Sequence, residues 1–369
     1  MFNPYTAAGG GGQSQMAFHR ILRGYRGAAE VQELSTPMQA GLPLYRYWNH
    51  LKRVRRFREQ VAGGDLLILQ GYFDPGGVML ARYATKARVP YVVIPRGDLI
   101  PTRDLLRVTR NAGRKWLMWL LYGRWLFRNA AAVVVTSELE KRRLQRVGAR
   151  TDHVRVIPNP VRSPSAEPPS SSQDGPADRP FAIALGRISR EKGLDLLLES
   201  WPAVQRRCPD ALLVIAGPVD HPDVYRQLID IRGSLKLHDA VLFKEWIGGS
   251  QKTRWLSQAR CLVLPSHCES FGNGVLEALS VRTPVIASTG TPWSHLEGAC
   301  GRWLARDPRL WADAIADYLS APVNQRVPSE DVRRVLALYR EEIIAARWSG
   351  VLDAALAAEP GRSAGAAAQ

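Results

Sequence analysis

The chain has 369 residues, which suits two domains of ordinary size better than one small core. Hydrophobic residues make up 46% and charged residues 23%, and no apolar tract approaches the ~18 residues of a transmembrane helix. The N-terminus lacks a basic-then-apolar signal segment, so we expect a cytoplasmic protein. The four cysteines are scattered without metal-ligand spacing, as is usual for buried thiols in a reducing compartment.

The net charge of +16 is concentrated in the first half of the chain. Residues 1–180 hold 28 Lys and Arg against 13 Asp and Glu, whereas residues 181–369 hold 22 against 21. A basic surface on one half only favours attraction to an anionic surface or substrate. Nucleic acid is excluded as a partner because no recognition motif accompanies the charge.

The first half reads as alternating strands and helices, with one irregularity at its start. The glycine turn Gly9–Gly12 has only eight residues before it, where a doubly wound domain normally opens with a buried strand. Either this strand is shortened to Met1–Pro4, or the true start lies upstream, and we favour the second because a missing strand would leave sheet edges exposed. Four further strands are predicted: Asp65–Gln70, Tyr91–Pro95, Ala130–Thr136 and Val154–Pro158.

A Pro/Ser-rich linker at residues 161–180 separates this half from a second run of strands and helices. Apolar strands are predicted at Phe181–Gly186, Ala211–Gly217, Ala240–Phe243, Cys261–Leu264 and Pro284–Ala287. Helices between them imply a parallel sheet that is covered on both faces. We therefore predict domains at 1–160 and 181–336, a C-terminal helix at 337–358 that packs back on the N-terminal domain, and a disordered tail at 359–369.

A basic glycine turn follows the first strand of the second domain, in the order Gly186-Arg187-Ile-Ser-Arg190-Glu-Lys192-Gly193. Such a turn at a helix N-terminus offers amides to a diphosphate, and Arg187 and Lys192 offer positive charge. A solvated basic helix cap explains the same residues equally well.

Two acids, Glu269 and Glu277, flank the turn that follows strand Cys261–Leu264. At the mouth of one strand–turn–helix unit they can bind different hydroxyls of one ligand, while the helix N-terminus presents amides to a phosphate. Taken alone, an ordinary loop acid and a first-turn helix acid are the simpler interpretation.

The whole arrangement resembles the family 4 glycosyltransferases of GT-B fold. The resemblance rests on Gly-Arg-x-x-x-x-Lys-Gly, then Pro-Ser-x-x-Glu-Ser-Phe-Gly-x-x-x-x-Glu-Ala, then Pro-Val-Ile-Ala. Further matches are Pro95-Arg-Gly, Thr136-Ser-Glu, Ile157-Pro-Asn-Pro and Thr291-Pro-Trp-Ser-His-Leu, in the forms of a bacterial surface-polysaccharide branch. The resemblance implies an α/β protein with two doubly wound Rossmann-like domains facing a central cleft.

It also implies a role for each matching residue. Arg187 and Lys192 match the residues that bind the donor diphosphate, Glu269 matches the acid that faces the transferred sugar, and Glu277 matches the acid that holds the ribose. Donor contacts are also implied for Gly11, Gly12, Gly186, Trp246, Ile247, Ser270, Phe271, Gly272, Asn273 and Gly274.

Members of this family retain the anomeric configuration, usually by front-face attack. A double displacement needs a second carboxylate about 5 Å from the first, and the sequence offers no clear candidate. Arg187 and Lys192 can oppose the charge of the leaving diphosphate, so no cofactor and no metal are expected. His267 and Cys268 are neighbours without partner spacing, which argues against a metal site.

The pattern is broken at several positions. Arg96 and Gly97 stand where many relatives have a histidine, and Arg96 can reach sugar or phosphate or simply cap the sheet. Glu245 and Arg282 replace family glycines, the second at a left-handed turn where a side chain costs roughly 1 kcal/mol.

Two basic segments of the first half, Arg46–Arg58 and Arg103–Asn129, interleave Arg and Lys with Trp and Leu. They suit contact with an anionic membrane surface, or they pack Trp and Leu inward and solvate Arg outward. We expect a nucleotide-diphosphate sugar donor (GDP- or UDP-linked) and a saccharide acceptor, lipid-linked, in surface polysaccharide synthesis. The alternatives are a GT-B epimerase and an inactive scaffold or regulatory subunit.

Overall fold

The computed structural model describes residues 18, 20–25, 54–71, 75–95, 112–161, 179–322 and 326–358. The chain divides into two compact units, Met1–Pro160 together with Glu341–Gln369, and Val161–Arg340. None of the described helices is both long enough and apolar enough to span a bilayer. The predicted first strand, residues 162–178 of the linker and the tail at 359–369 lie outside the described residues.

The first unit contains a parallel sheet in the order β1-β2-β3-β4. Nearly every residue of its strands is apolar, and β1 to β3 are buried along their whole length, as expected for a sheet covered on both faces. The strands are β1 (Leu67–Gln70), β2 (Tyr91–Ile94), β3 (Ala132–Val135) and β4 (Val154–Val156). The helices are α1 (Arg58–Ala62), α2 (Pro75–Ala87), α3 (Ala112–Met118), α4 (Arg124–Asn129) and α5 (Glu138–Arg146), with a π-helical turn at Trp119–Gly123 between α3 and α4.

The second unit contains a six-stranded parallel sheet. Its strands are β5 (Phe181–Leu185), β6 (Leu212–Ala216), β7 (Val241–Lys244), β8 (Cys261–Leu264), β9 (Val285–Ser288) and β10 (Gly301–Leu304). Its α-helices are α6 (Asp195–Arg207), α7 (Pro222–Ser234), α8 (Gly249–Gln258), α9 (Asn273–Ser280), α10 (Pro308–Ser320) and α11 (Ser329–Ala337). Strand β10 and helix α10 are additions to the sequence prediction.

The strand order of the second sheet is β7-β6-β5-β8-β9-β10. Strand β5, which comes first in the chain, lies in the middle of this sheet. The direction in which successive strands are added reverses between β5 and β8. At such a switch point the loops after the two central strands turn to opposite faces and leave a crevice at the carboxyl ends, where ligands bind in this type of sheet. The motifs containing Lys192 and Glu269 follow these two strands.

The C-terminal helix predicted at 337–358 corresponds to α12 (Glu341–Ala357), and the separate helix α11 precedes it. Val332 and Val335 of α11 are buried in the core of the second unit, while Ile344 and Trp348 of α12 are buried in the core of the first. The Trp348 ring lies 4.6 Å from that of Phe18, centroid to centroid. The chain thus returns to its first unit at residue 341, four residues later than the predicted boundary.

Candidate donor-sugar site

The loop after β5 is shaped by glycines with positive φ. Gly186 has φ +148° and Gly193 has φ +57°, and a 3-10 turn at Arg190–Lys192 lies between them. Gly217, which follows β6, packs so closely on the Gly186 carbonyl that a Cβ there would overlap it. The chain can therefore turn sharply at the carboxyl end of the sheet, as a close backbone approach by a ligand requires.

Lys192 and Glu269 form an ion pair across the switch point. Lys192 Nζ lies 2.6 Å from Glu269 Oε2, and the two side chains are only 17% and 15% exposed. The Ser266 hydroxyl donates to the same carboxylate oxygen over 3.2 Å. The structure thus brings together two predicted site residues that are 77 positions apart in the chain.

Backbone hydrogen bonds hold the three loops around this pair. The amide of His267 donates to the carbonyl of Glu191 over 2.9 Å, which ties the loop after β8 to the loop after β5. The amide of Glu269 donates to the carbonyl of Gly290 over 3.1 Å, which ties it to the loop after β9. The backbone of the loop that carries Glu269 is therefore held from both sides.

Arg187 lies in the same loop as Lys192, but its side chain contacts two other acids, Asp220 and Glu191. Its guanidinium contacts Asp220 and lies 3.3 Å from Glu191 Oε1, and its side chain is 52% exposed. Burial alone would raise the pKa of Glu191, but hydrogen bonds and the charges of Arg187 and Lys192 outweigh it and lower the pKa. Arg187 can reach a phosphate only by exchanging these partners.

The turn between the two predicted acids positions backbone and core residues. Gly272 has φ +88° and precedes the first residue of α9, with Glu269 and Trp293 packed around its Cα. The Phe271 ring is buried 5.1 Å from the Trp293 ring, centroid to centroid, and the Trp293 indole donates to the Phe271 carbonyl over 2.5 Å. The buried Phe271 side chain thus belongs to the core beneath the turn, and the amides of Gly272, Asn273 and Gly274 lie at the start of α9.

Glu277 has a partner that the sequence analysis missed. Lys252 Nζ of α8 lies 2.5 Å from Glu277 Oε1 of α9, with the lysine side chain 11% exposed and the glutamate side chain 29% exposed. No short motif contains Lys252, because its position depends on how two helices pack. Only the amphipathic spacing of α8 marks it, one turn before the buried Trp255.

The remaining predicted donor contacts differ in accessibility. Trp246 is 48% exposed, whereas the Ile247 side chain is buried in the core, so only the backbone of Ile247 remains available to a ligand. Glu245 is exposed in the same loop after β7. Gly11, Gly12, Arg96 and Gly97 lie outside the described residues.

Two further predictions concern backbone and metal chemistry. Arg282 has φ +62°, which confirms the left-handed turn expected there, and its Nε donates to the Val327 carbonyl over 2.9 Å. Within the described ranges, no group of three or more His, Cys, Asp and Glu side chains has the geometry of a metal site. His267 precedes Glu269 by two residues, and burial and the charge of Arg306 lower the pKa of its imidazole.

Comparison with known proteins identifies both halves of the chain. Residues 12–160 match the family "Glycosyl transferase 4-like domain", and residues 179–321 match "Glycosyl transferases group 1". A D-inositol 3-phosphate glycosyltransferase of Saccharomonospora viridis is 29% identical over 310 residues, which are 75% of this chain and 68% of that one. One of Frankia alni is 32% identical over 157 residues, 39% of this chain and 38% of that one. Most such relatives are matched over less than half of their length.

Solved structures of the same fold cover nearly the whole chain. Anabaena HepE in complex with UDP and glucose is 16% identical in sequence. The match covers 95% of this chain and 98% of that one, with a TM-score of 0.74. Its architecture confirms the predicted GT-B class of two Rossmann-like domains. Together the two family matches extend over most of the sequence, and the chain belongs to the glycosyltransferases of GT-B fold that carry a 4-like N-terminal domain and a group 1 C-terminal domain.

Proposed function

We propose that this protein is a retaining, metal-independent hexosyltransferase that uses a nucleotide-diphosphate sugar as its donor. The observation that carries the proposal is the ion pair between Lys192 and Glu269 at the switch point of the second sheet. A cation and an acid held together there suit a ligand whose sugar is bonded to a phosphate. The family relationship supports the same reaction class.

Cleavage of the donor places negative charge on the departing diphosphate. Lys192 lies where it can oppose that charge, and the amides at the start of α9 add to it. Glu269 faces the sugar, where it tolerates the positive charge that develops at the anomeric carbon. Retention follows from front-face attack, with the departing phosphate accepting the proton of the acceptor hydroxyl.

Donor binding requires the resting contacts to rearrange. Lys192 is bonded to Glu269, and Arg187 is bonded to Asp220 and Glu191. A diphosphate carries more negative charge than any one of these three acids, so it can attract Lys192 and Arg187 away from them. Glu277, held by Lys252, then holds the ribose hydroxyls.

The acceptor is proposed to be a saccharide, lipid-linked, that is extended during surface polysaccharide synthesis in the cytoplasm. The surplus of 15 positive charges in residues 1–180 supports an anionic acceptor or surface. Relatives bearing the name D-inositol 3-phosphate glycosyltransferase make a soluble phosphorylated acceptor the competing possibility.

Thermal shift with a panel of UDP- and GDP-sugars tests the donor, since a ligand that binds the folded state raises the melting temperature. Turnover is then followed with Glu269→Ala and with the control Glu330→Gln, an exposed helix acid of the same unit. We expect Glu269→Ala to lose at least about 99% of turnover, which corresponds to about 2.7 kcal/mol in the barrier. Full turnover in Glu269→Ala, or a wild-type protein that binds a nucleotide but transfers nothing, would refute the assignment; the second result would favour the regulatory subunit.

A further inference from the structure

An exposed apolar stretch stands out on the first unit. Of the eleven large apolar side chains with marked exposure in the described residues, four lie within six consecutive positions. These are Trp116, Leu117, Leu120 and Leu121, with exposed fractions of 51%, 52%, 41% and 68%. Isolated exposed leucines are normal, but a contiguous apolar group of this kind usually marks an interaction site.

Helical spacing puts these side chains on one face. Positions 116, 117, 120 and 121 are one turn apart in pairs, and Arg124 and Arg128 continue the same exposed line. The opposite face supplies Trp119, Leu126 and Phe127 to the core. Some aromatic and apolar residues of this segment therefore pack inward and others are exposed, and contact with a membrane stays a prediction. We call Trp116, Leu117, Leu120, Leu121, Arg124 and Arg128 the amphipathic patch.

The charge around the patch has a single sign. Residues 112–129 contain four Lys and Arg and no Asp or Glu. A protein partner would normally be met by charges of both signs, whereas an anionic bilayer offers phosphates at one level and acyl chains beneath them. Trp and Leu beside Arg match that layering.

A cavity of about 780 Å³ adjoins the patch at the amino ends of β2, β3 and β4. Its lining includes Leu120, Arg124, Arg128 and Arg150, and Asp152 is the single acid in that lining. Arg150 is paired with Asp152 over 2.5 Å, which leaves the lining with a surplus of positive charge. A phosphate-bearing headgroup fits these side chains by size and charge.

We propose that the amphipathic patch lies on an anionic phospholipid bilayer, with a lipid headgroup entering the adjoining cavity. The apolar side chains enter the level of the first acyl carbons, and the arginines contact the phosphates. This deepens the proposed function, because it explains how the chain meets a lipid-linked acceptor, and it rests on that function only in this respect. The contact is peripheral and needs no spanning helix.

Co-sedimentation with vesicles tests the proposal on the full chain. Vesicles of phosphatidylcholine alone are compared with an equal mixture of phosphatidylcholine and phosphatidylglycerol. The wild type should bind the anionic vesicles and release them at high salt. Arg124→Gln with Arg128→Gln should weaken binding by about fivefold per arginine, the factor expected for one basic side chain at an anionic surface.

Leu121→Glu should weaken binding by at least about tenfold, because a charge replaces an apolar side chain at the acyl level. The matched controls are Leu310→Glu and the pair Arg206→Gln with Arg226→Gln, which make the same changes at exposed positions of the second unit. The controls should bind as the wild type does. The patch variant Arg124→Gln with Arg128→Gln keeps the test valid if Leu121→Glu folds poorly.

Equal loss in patch and control variants, or wild-type binding that ignores phosphatidylglycerol, overturns the proposal. Nucleotide thermal shift on the same variants separates it from the donor assignment, since the patch belongs to the first unit and Lys192 to the second. A preserved nucleotide shift with lost vesicle binding supports the patch. An absent nucleotide shift in a wild type that binds vesicles refutes the donor proposal and leaves the patch intact.

Discussion

The ion pair between Lys252 and Glu277 allows a quantitative test of the donor site. Lys252→Met keeps a long helix-forming side chain but removes the charge that lies 2.5 Å from the Glu277 carboxylate. Hydrogen bonds to charged groups contribute about 1.5–3 kcal/mol when buried. Because the Glu277 side chain is 29% exposed, water replaces part of that contact, and we expect a coupling energy of about 1–2 kcal/mol.

The coupling is measured as a double-mutant cycle of Lys252→Met, Glu277→Gln and the double variant in urea unfolding. Each variant is then titrated with the nucleotide diphosphate that binds the wild type best, and with its analogue lacking both ribose hydroxyls. If Lys252 holds Glu277 in place for the ribose, each single variant should lose about tenfold in affinity for the natural nucleotide, or about 1.4 kcal/mol. The analogue should bind all four proteins alike.

Two results would contradict this reasoning. A coupling energy below about 0.5 kcal/mol would mean that the pair is an incidental surface contact. An equal loss of affinity for nucleotide and analogue would mean that Glu277 acts on something other than the ribose. In the second case the helix α9 would still contribute its N-terminal amides, and the assignment of the acid alone would fall.

Three further predictions concern backbone fit, pH and thiol chemistry. Gly217→Ala should destabilise the protein by about 2 kcal/mol or more, because the new Cβ overlaps the Gly186 carbonyl. The control Gly350→Ala, whose Cβ meets nothing within 4 Å, should stabilise α12 by up to about 1 kcal/mol, and equal melting temperatures of the two variants would disprove the close contact at Gly217. Burial lowers the pKa of His267 and His295 below 6.5, so the unfolded chain binds more protons and stability should fall as the pH drops through that value. The variant His267→Gln with His295→Gln should show a flatter pH dependence of its urea unfolding midpoint. A midpoint that changes with pH as steeply as in the wild type would contradict this. Cys208 is the one partly exposed thiol, so the native protein should react with one maleimide at neutral pH, and the other three cysteines should react only after unfolding. Burial raises the pKa of Cys300 to about 11. Rapid labelling of Cys300 in the native state would show that its thiol is not buried in solution.

Most strands of the two sheets could be predicted because the sequence pattern that marks them is local; the exception in the second sheet is β10, which is only partly buried. Several of these strands are uninterrupted apolar runs followed by glycine or proline, and the predicted strand Cys261–Leu264 agrees with β8 at both ends. Lys192 and Glu269 were each predicted to bind the donor, from motifs that follow two separate strands, but their ion pair was not predicted. The order of the strands, which brings the motifs together, is a property of the sheet and not of either motif.

Other features depend on packing that no local pattern records. Nothing in the residues between α11 and α12 marks a break, since neither glycine nor proline separates the two helices. The division appears only because Val335 fits the core of one unit and Ile344 the core of the other. Lys252 was missed for the same reason, as its meaning comes from a neighbouring helix.

The return of α12 to the first unit has a consequence for dissecting the molecule. The second unit is one uninterrupted piece of chain, whereas the first is made from two pieces that are separated by the 180 residues of the second unit. A fragment that stops at Pro160 lacks Trp348, and with it the ring against which Phe18 packs. Chimeras that exchange the first unit between relatives should therefore carry both of its pieces from one parent, or the transplanted unit will lack part of its own interior.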